Sequence, residues 1–404
     1  MSRGGGACQP SAPSLRVRTH APRTSGVIRA PFENRRKKVG PGHARLDPER
    51  SVAYHPAWGI ARQAGISLHR PAATGMSTGT RLATGSSIPK TDMQIQRLFR
   101  HFHAADVVIV CFGGVLTLLS MVFASRVPHW QVLSLLNCVL LAAVWTVARA
   151  DAAIGTRILR FIHNWYVAPA IILYYKEMHF LIGPVRGGKD YDQLLIAIDR
   201  RLFGADPTEW LARLATPPVT EVLQISYTLF YLLFILVGWE LYRRHSRDRY
   251  DFFIFLCAYG FFLSYIGYFL FPAAGPRFTL HDHSLLNVEL PGLLLTPYLR
   301  WFINWGGSVP MGVPNHVAMA KAQRDIFPSG HTMMTLVLIY YSFRYRVRHL
   351  ILIVGLLVII AAVYQRYHYV IDIVAGVLFA ILCLLTSRAV YGFIRTRILR
   401  QIEP

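Results

Sequence analysis

Charge is scarce in this chain. Only 16% of its 404 residues are Asp, Glu, Lys or Arg, while 53% are hydrophobic. A soluble domain carries about a quarter charged residues, so the shortage excludes an ordinary soluble fold. Acidic residues are scarcest: 21 Asp and Glu face 43 Lys and Arg, a formal net charge of +22. Such an excess suits nucleic acid or membrane loops near anionic headgroups. Its placement decides between them. Much of it precedes residue 91, and most of the rest sits in short stretches between long apolar runs. No recognition helix or zinc-ligand spacing accompanies it, so no nucleic-acid partner is expected. Cysteine is sparse too. Cys111, Cys138, Cys257 and Cys383 fall in apolar runs and Cys8 in the polar N-terminal stretch, which excludes a disulfide framework and a cysteine-held metal.

What is present divides at about residue 92. Residues 1–92 are rich in Arg, Gly, Pro and Ser without sustained apolar periodicity; they read as a disordered basic tail and lack the pattern of a secretory signal. Met76 and Met93 are alternative starts, which N-terminal mass spectrometry of the natural protein would distinguish. From about 105 onward, runs long enough to span a bilayer recur: 107–124, 132–148, 161–182, 219–241, 251–271, 331–343, 350–367 and 370–392. Asn164, Pro169, Lys176 and Glu177 make the third the weakest. The expected fold is all-α, a polytopic membrane bundle of about eight transmembrane helices. Its parts are two N-terminal spans within 93–160, a catalytic membrane domain over 161–392 and a basic tail over 393–404.

Orientation follows from the arginines. Arg149, Arg157 and Arg160 fall in one short loop, Arg243, Arg244, Arg247 and Arg249 in another, and Arg344, Arg346 and Arg348 in a third. Eight spans put all three, and both termini, on the cytoplasmic side, most simply of the plasma membrane. The far side then holds residues 183–218, whose Leu194–Leu214 stretch is amphipathic, a long loop over 272–330, and the turn Arg366–Tyr369.

Three clusters share that far face: Pro272-Ala-Ala-Gly-Pro-Arg277, Phe327-Pro-Ser-Gly-His-Thr332 and Arg366-Tyr-His-Tyr-Val-Ile-Asp372. Asp372 follows His368 by four residues and can orient its imidazole from the same helical face. Taken alone, an interfacial His and Asp that merely snorkel explain this pair as well. Ser329 and Gly330 open a helix whose free N–H groups can hold an anion, with His331 in its first turn. Arg277 can grip phosphate oxygens, and Arg366 and Arg324 are further candidates. Two histidines, a carboxylate, a helix N-terminus and arginines suit phosphoryl transfer without metal or cofactor. No carboxylate cluster suits magnesium, and His281-Asp282-His283 reads as loop.

At these residues the chain resembles the type 2 phosphatidic acid phosphatase (PAP2) superfamily, over roughly 160–390. Residues 327–332 match its second signature, and His368-x-x-x-Asp372 with Ala375-Gly376 matches the core of the third. The resemblance implies a six-helix core, a phosphohistidine on His368 oriented by Asp372, His331 as general acid, and Ser329, Gly330 and Arg277 on the phosphate. The chain departs at Leu270, where the family's widest pattern has lysine, and at Ala361 and Ala362, where it has Ser-Arg; Arg366 is the replacement arginine. The His368-Tyr369-x-x-Asp372 form is more similar to the branch holding inositol phosphorylceramide synthase and sphingomyelin synthase. The expected function is a lipid phosphoesterase or phosphotransferase, acting on a membrane lipid phosphate at the extracytoplasmic face, with water or a polyol as acceptor. The alternative is a non-enzymatic lipid transporter or scaffold. Few charges lie within the spans and no internal repeat is visible, both of which count against it.

Overall fold

The computed structural model describes Phe99 and residues 101–399. The expectations for residues 1–92 lie outside the described residues. Among the described residues the secondary structure is helical throughout. The principal helices are α1 (Ala104–Val122), α2 (Trp130–Ile154), α3 (Arg157–Trp165), α4 (Val167–Arg186), α5 (Asp192–Phe203), α6 (Pro217–Arg244), α7 (Arg247–Leu270), α8 (Thr296–Gly306), α9 (Asn315–Lys321), α10 (Gly330–Ser342), α11 (Arg348–Tyr364) and α12 (Val370–Phe393). Five are long and apolar enough to cross a membrane: α1, α2, α6, α7 and the run beginning at α12. The 17-residue α11 is apolar but shorter. Their outward Leu, Ile, Val and Phe side chains are widely exposed, as expected of a bundle whose solvent is lipid.

The third expected run differs most from its sequence reading. It is two helices, α3 and α4, meeting at Tyr166. Gly155, in the left-handed region at φ +63°, ends α2, and the Thr156 side chain caps α3 by accepting from Leu159 N. Pro169 falls in the first turn of α4, where a missing N–H costs nothing. Its charges are satisfied internally: Glu177 accepts from Asn137 Nδ2 at 2.7 Å, and Lys176 donates to Trp305 O, Gly306 O and Ser308 Oγ.

The two largest apolar cores among the described residues meet at α7. One joins α1, α2, α4 and α7 around Phe112, Tyr174 and Phe262. The other joins α6, α7, α10, α11 and α12 around Met333, Met334, Ala361, Ala362 and Cys383. Close approach of α12 to α10 depends on Gly376, where a Cβ would lie 2.8 Å from Ser329 O. At the arginine-rich end, Glu240 accepts from Arg346 N and Val347 N, and His163 bridges Asp106 and Asp151 at 2.9 and 3.0 Å.

Candidate active site

The three clusters meet at the other end. Arg277 N donates to Arg366 O (3.1 Å), and Ser329 N donates to Asp372 O (3.0 Å). Gly275, at φ +100° and with Tyr367 O 3.1 Å from where a Cβ would be, lets the first cluster lie against the third.

A helix outside the clusters clamps them. Asp192 of α5 accepts from Ala274 N (2.9 Å), Gly275 N (2.8 Å) and Tyr369 Oη (2.8 Å). Two turns further along the same face, Asp199 accepts from Val370 N and Ile371 N at 2.8 Å each, capping α12 from outside. The sequence reading had this helix only as amphipathic. Two carboxylates seven residues apart, on one face, were the available signal.

His368 and His331 face each other with ring centroids 6.0 Å apart and planes at 60°. His368 Nδ1 lies 3.0 Å from Ile326 O and 3.4 Å from Asp372 Oδ2. A carbonyl only accepts, so Nδ1 carries the proton and Nε2 is left with its lone pair. Burial lowers the His368 pKa to about 4, partly offset by the charge of Asp325 and the bond to Ile326 O, so the ring is neutral at pH 7. Asp372 is fully buried; its Oδ2 also accepts from Tyr369 N at 2.8 Å, closing a capping box on α12. His331 Nδ1 meets Tyr227 Oη at 3.2 Å and the two rings stack; its Nε2 is buried without a partner among the described residues.

Ser329 caps α10, its Oγ accepting from Thr332 N, and Gly330 is the first helical residue. A Cβ at Gly330 would sit 2.3 Å from Tyr268 Oη. The buried Arg277 guanidinium lies over Phe278 and Tyr367 and donates to Asn304 Oδ1 at 3.0 Å. The other two arginines are engaged elsewhere. Arg366, at φ +62°, pairs with Glu289. Arg324 makes a two-pronged ion pair with Asp190 and donates to Met319 O and Ala322 O. Ala362 is fully buried, and its carbonyl accepts from Tyr367 N and His368 N.

Sequence reasoning missed Asp325. Burial raises its pKa, offset by a hydrogen bond from Tyr175 and by the charges of Arg277 and His368. It had no motif to mark it. His281, Asp282 and His283 do not converge: His281 meets Thr208, and Asp282 caps Ser284. Among the described residues one trio, His103, Asp106 and His163, has metal-ligand spacing. It lies at the arginine-rich end, with both His163 nitrogens already on carboxylates.

Residues 193–386 match the family model described as the PAP2 superfamily. The matched stretch holds all three clusters. A PA-phosphatase related-family protein of Dictyostelium discoideum is 27% identical over 213 residues, covering 48% of this chain and 35% of the relative. The chain therefore spans about a third of that relative's length. No solved structure matches.

Proposed function

We propose that this protein is an integral membrane lipid phosphatase or phosphotransferase of the PAP2 kind, working through a phosphohistidine on His368. The observation that carries the reading is the pair of facing histidines, one with a fixed proton on Nδ1 and a free Nε2, beside a buried arginine and a helix N-terminus.

In the first step His368 Nε2 attacks phosphorus. The N–P bond forms as the P–O bond to the lipid alcohol breaks. His331 Nε2 supplies the proton to the leaving oxygen, steadied by Tyr227 on its other nitrogen. Asp372 and Ile326 O offset the positive charge on the phosphorylated ring. Arg277 and the first N–H groups of α10 stabilise the equatorial oxygens. In the second step His331 takes a proton from water or an alcohol, which attacks phosphorus and releases His368.

The arginine-rich loops are assigned to the cytoplasm and the site to the extracytoplasmic face, most simply of the plasma membrane. The similarity to a PA-phosphatase related-family protein of Dictyostelium favours a phosphatase. The His368-Tyr369-x-x-Asp372 pattern favours transfer to a polyol. The test is phosphate release by detergent-purified protein from phosphatidic acid, an isoprenyl diphosphate and a sphingoid phosphate, with and without inositol. His368-dependent release names the lipid class. No release, and no acid-labile, alkali-stable phosphoenzyme, ends the reading.

A further inference from the structure

Beside the phosphate-gripping arginine lies a cavity of about 410 Å³, lined by His283, Asn287, Arg300, Asn304, Met311 and Val313 among others. It is roomy enough for a small polar group. Its wall is joined to the site: Asn304 accepts from Arg277, and Arg300 donates to Gln365, the neighbour of Arg366.

Its charge is the informative feature. Arg300 is 1% exposed, and all its acceptors are neutral: Leu286 O at 3.2 Å, Asn287 Oδ1 at 2.8 Å and Gln365 Oε1 at 2.8 Å. Arg277 is likewise buried on a neutral amide oxygen. Among the described residues neither guanidinium forms an ion pair. Glu221, the carboxylate facing Arg300 from α6, is committed to the N-terminus of α8, accepting from Leu293 N, Leu295 N, Thr296 N and Thr296 Oγ1. Arg300 Nε and His283 Nδ1 are also buried without partners. A buried guanidinium whose bonds go only to neutral acceptors is costly; Asp325 partly balances Arg277, while Arg300 has no carboxylate within ion-pair distance among the described residues.

We propose that this cavity is a second anion subsite, holding an anionic group of the substrate's polar head while Arg277 holds the reacting phosphoryl group. The assignment rests on the phosphoryl-transfer reading above. Arg300 and Asn304 lie one turn apart on one face of α8, and Asn304 bonds Arg277, so the second anion would lie beside the first rather than on it. The ligand class is a polar head with two phosphates joined by a short spacer.

The experiment uses full-length protein in detergent and two probes: dodecyl phosphate, and a dodecyl phosphodiester of glycerol 3-phosphate. Kd and turnover are measured for each with wild type, Arg300→Gln and Arg300→Lys. The two-phosphate probe should bind at least about tenfold tighter to wild type, the scale of one charged hydrogen bond. Arg300→Gln should remove that preference and Arg300→Lys should keep most of it, whereas a purely structural arginine would be missed equally in both. Equal wild-type affinity for the two probes overturns the subsite, with no variant needed. So does a preference that survives Arg300→Gln. Selective binding without His368-dependent turnover would keep the subsite and end the phosphoryl-transfer reading; equal affinity with equal turnover would do the reverse.

Discussion

His368 Nδ1 lies closer to the carbonyl oxygen of Ile326, at 3.0 Å, than to the carboxylate of Asp372, at 3.4 Å. The backbone before the second cluster thus sets the tautomer of the third cluster's histidine. The Asp372 carboxylate holds the helix start; the negative charge felt by the ring is that of Asp325.

The roles of the two acceptors can be separated. Asp372→Asn should reduce turnover by much less than the roughly 10⁴-fold that follows when a histidine loses its tautomer-fixing partner, because Ile326 O still fixes Nδ1. His368→Ala should abolish turnover and phosphoenzyme together. Asp372→Asn as damaging as His368→Ala in a steady-state assay would show that the carboxylate sets the tautomer.

His331 is expected to act on the leaving oxygen. His331→Asn should cost about 10²–10⁴-fold on an alkyl phosphate, the usual range for general acid–base catalysis. The loss should shrink on p-nitrophenyl phosphate, whose leaving group needs no proton. An equal loss on both substrates would assign His331 to phosphate binding instead.

The clamp from α5 gives a stability prediction. Asp192→Ala removes the acceptor of two buried N–H groups, at about 1–3 kcal/mol for each left unsatisfied, while the Tyr369 hydroxyl keeps Thr279. Melting in detergent should drop clearly and turnover should fall with it. An unchanged melting temperature with full activity would show that the clamp is dispensable.

Gly376→Val should be worse than Gly376→Ala, since any Cβ there meets Ser329 O. Overpacking typically costs about 1–3 kcal/mol, and here the displaced residue is the α10 cap. Equal activity of wild type and Gly376→Val would refute the tight contact.

The His368 ring also predicts a pH dependence. Its folded pKa is about 4, against an ordinary value of 6.5. Between these values the unfolded chain takes up a proton that the buried ring refuses. Stability therefore falls as pH drops from 6.5 towards 4, and this contribution levels off below 4. Melting curves of wild type and His368→Gln should diverge over that window, wild type losing more. Parallel curves would mean the ring titrates normally.

The apolar runs and the three clusters were legible because bilayer length and motif spacing are both written in side chains. Seven of the eight expected runs fall within a few residues of their helices; the third broke where Gly155 and Thr156 end one helix and start another. Ile326 was illegible as an acceptor because it acts through its backbone. The pairing of Arg366 with Glu289 was illegible because the two lie 77 residues apart. Asp192 and Asp199 looked like the polar face of a surface helix, since their N–H donors lie 82 to 172 residues away.

The helix carrying those two aspartates is made before any of the residues it holds. While the chain is being synthesised, Asp192 meets its first partners when residues 274 and 275 arrive, and Asp199 has none until residues 370 and 371 emerge. His368 and its clamp are therefore completed in the same stretch of translation. A nascent chain arrested before residue 368 lacks both that histidine and the two N–H groups that Asp199 holds.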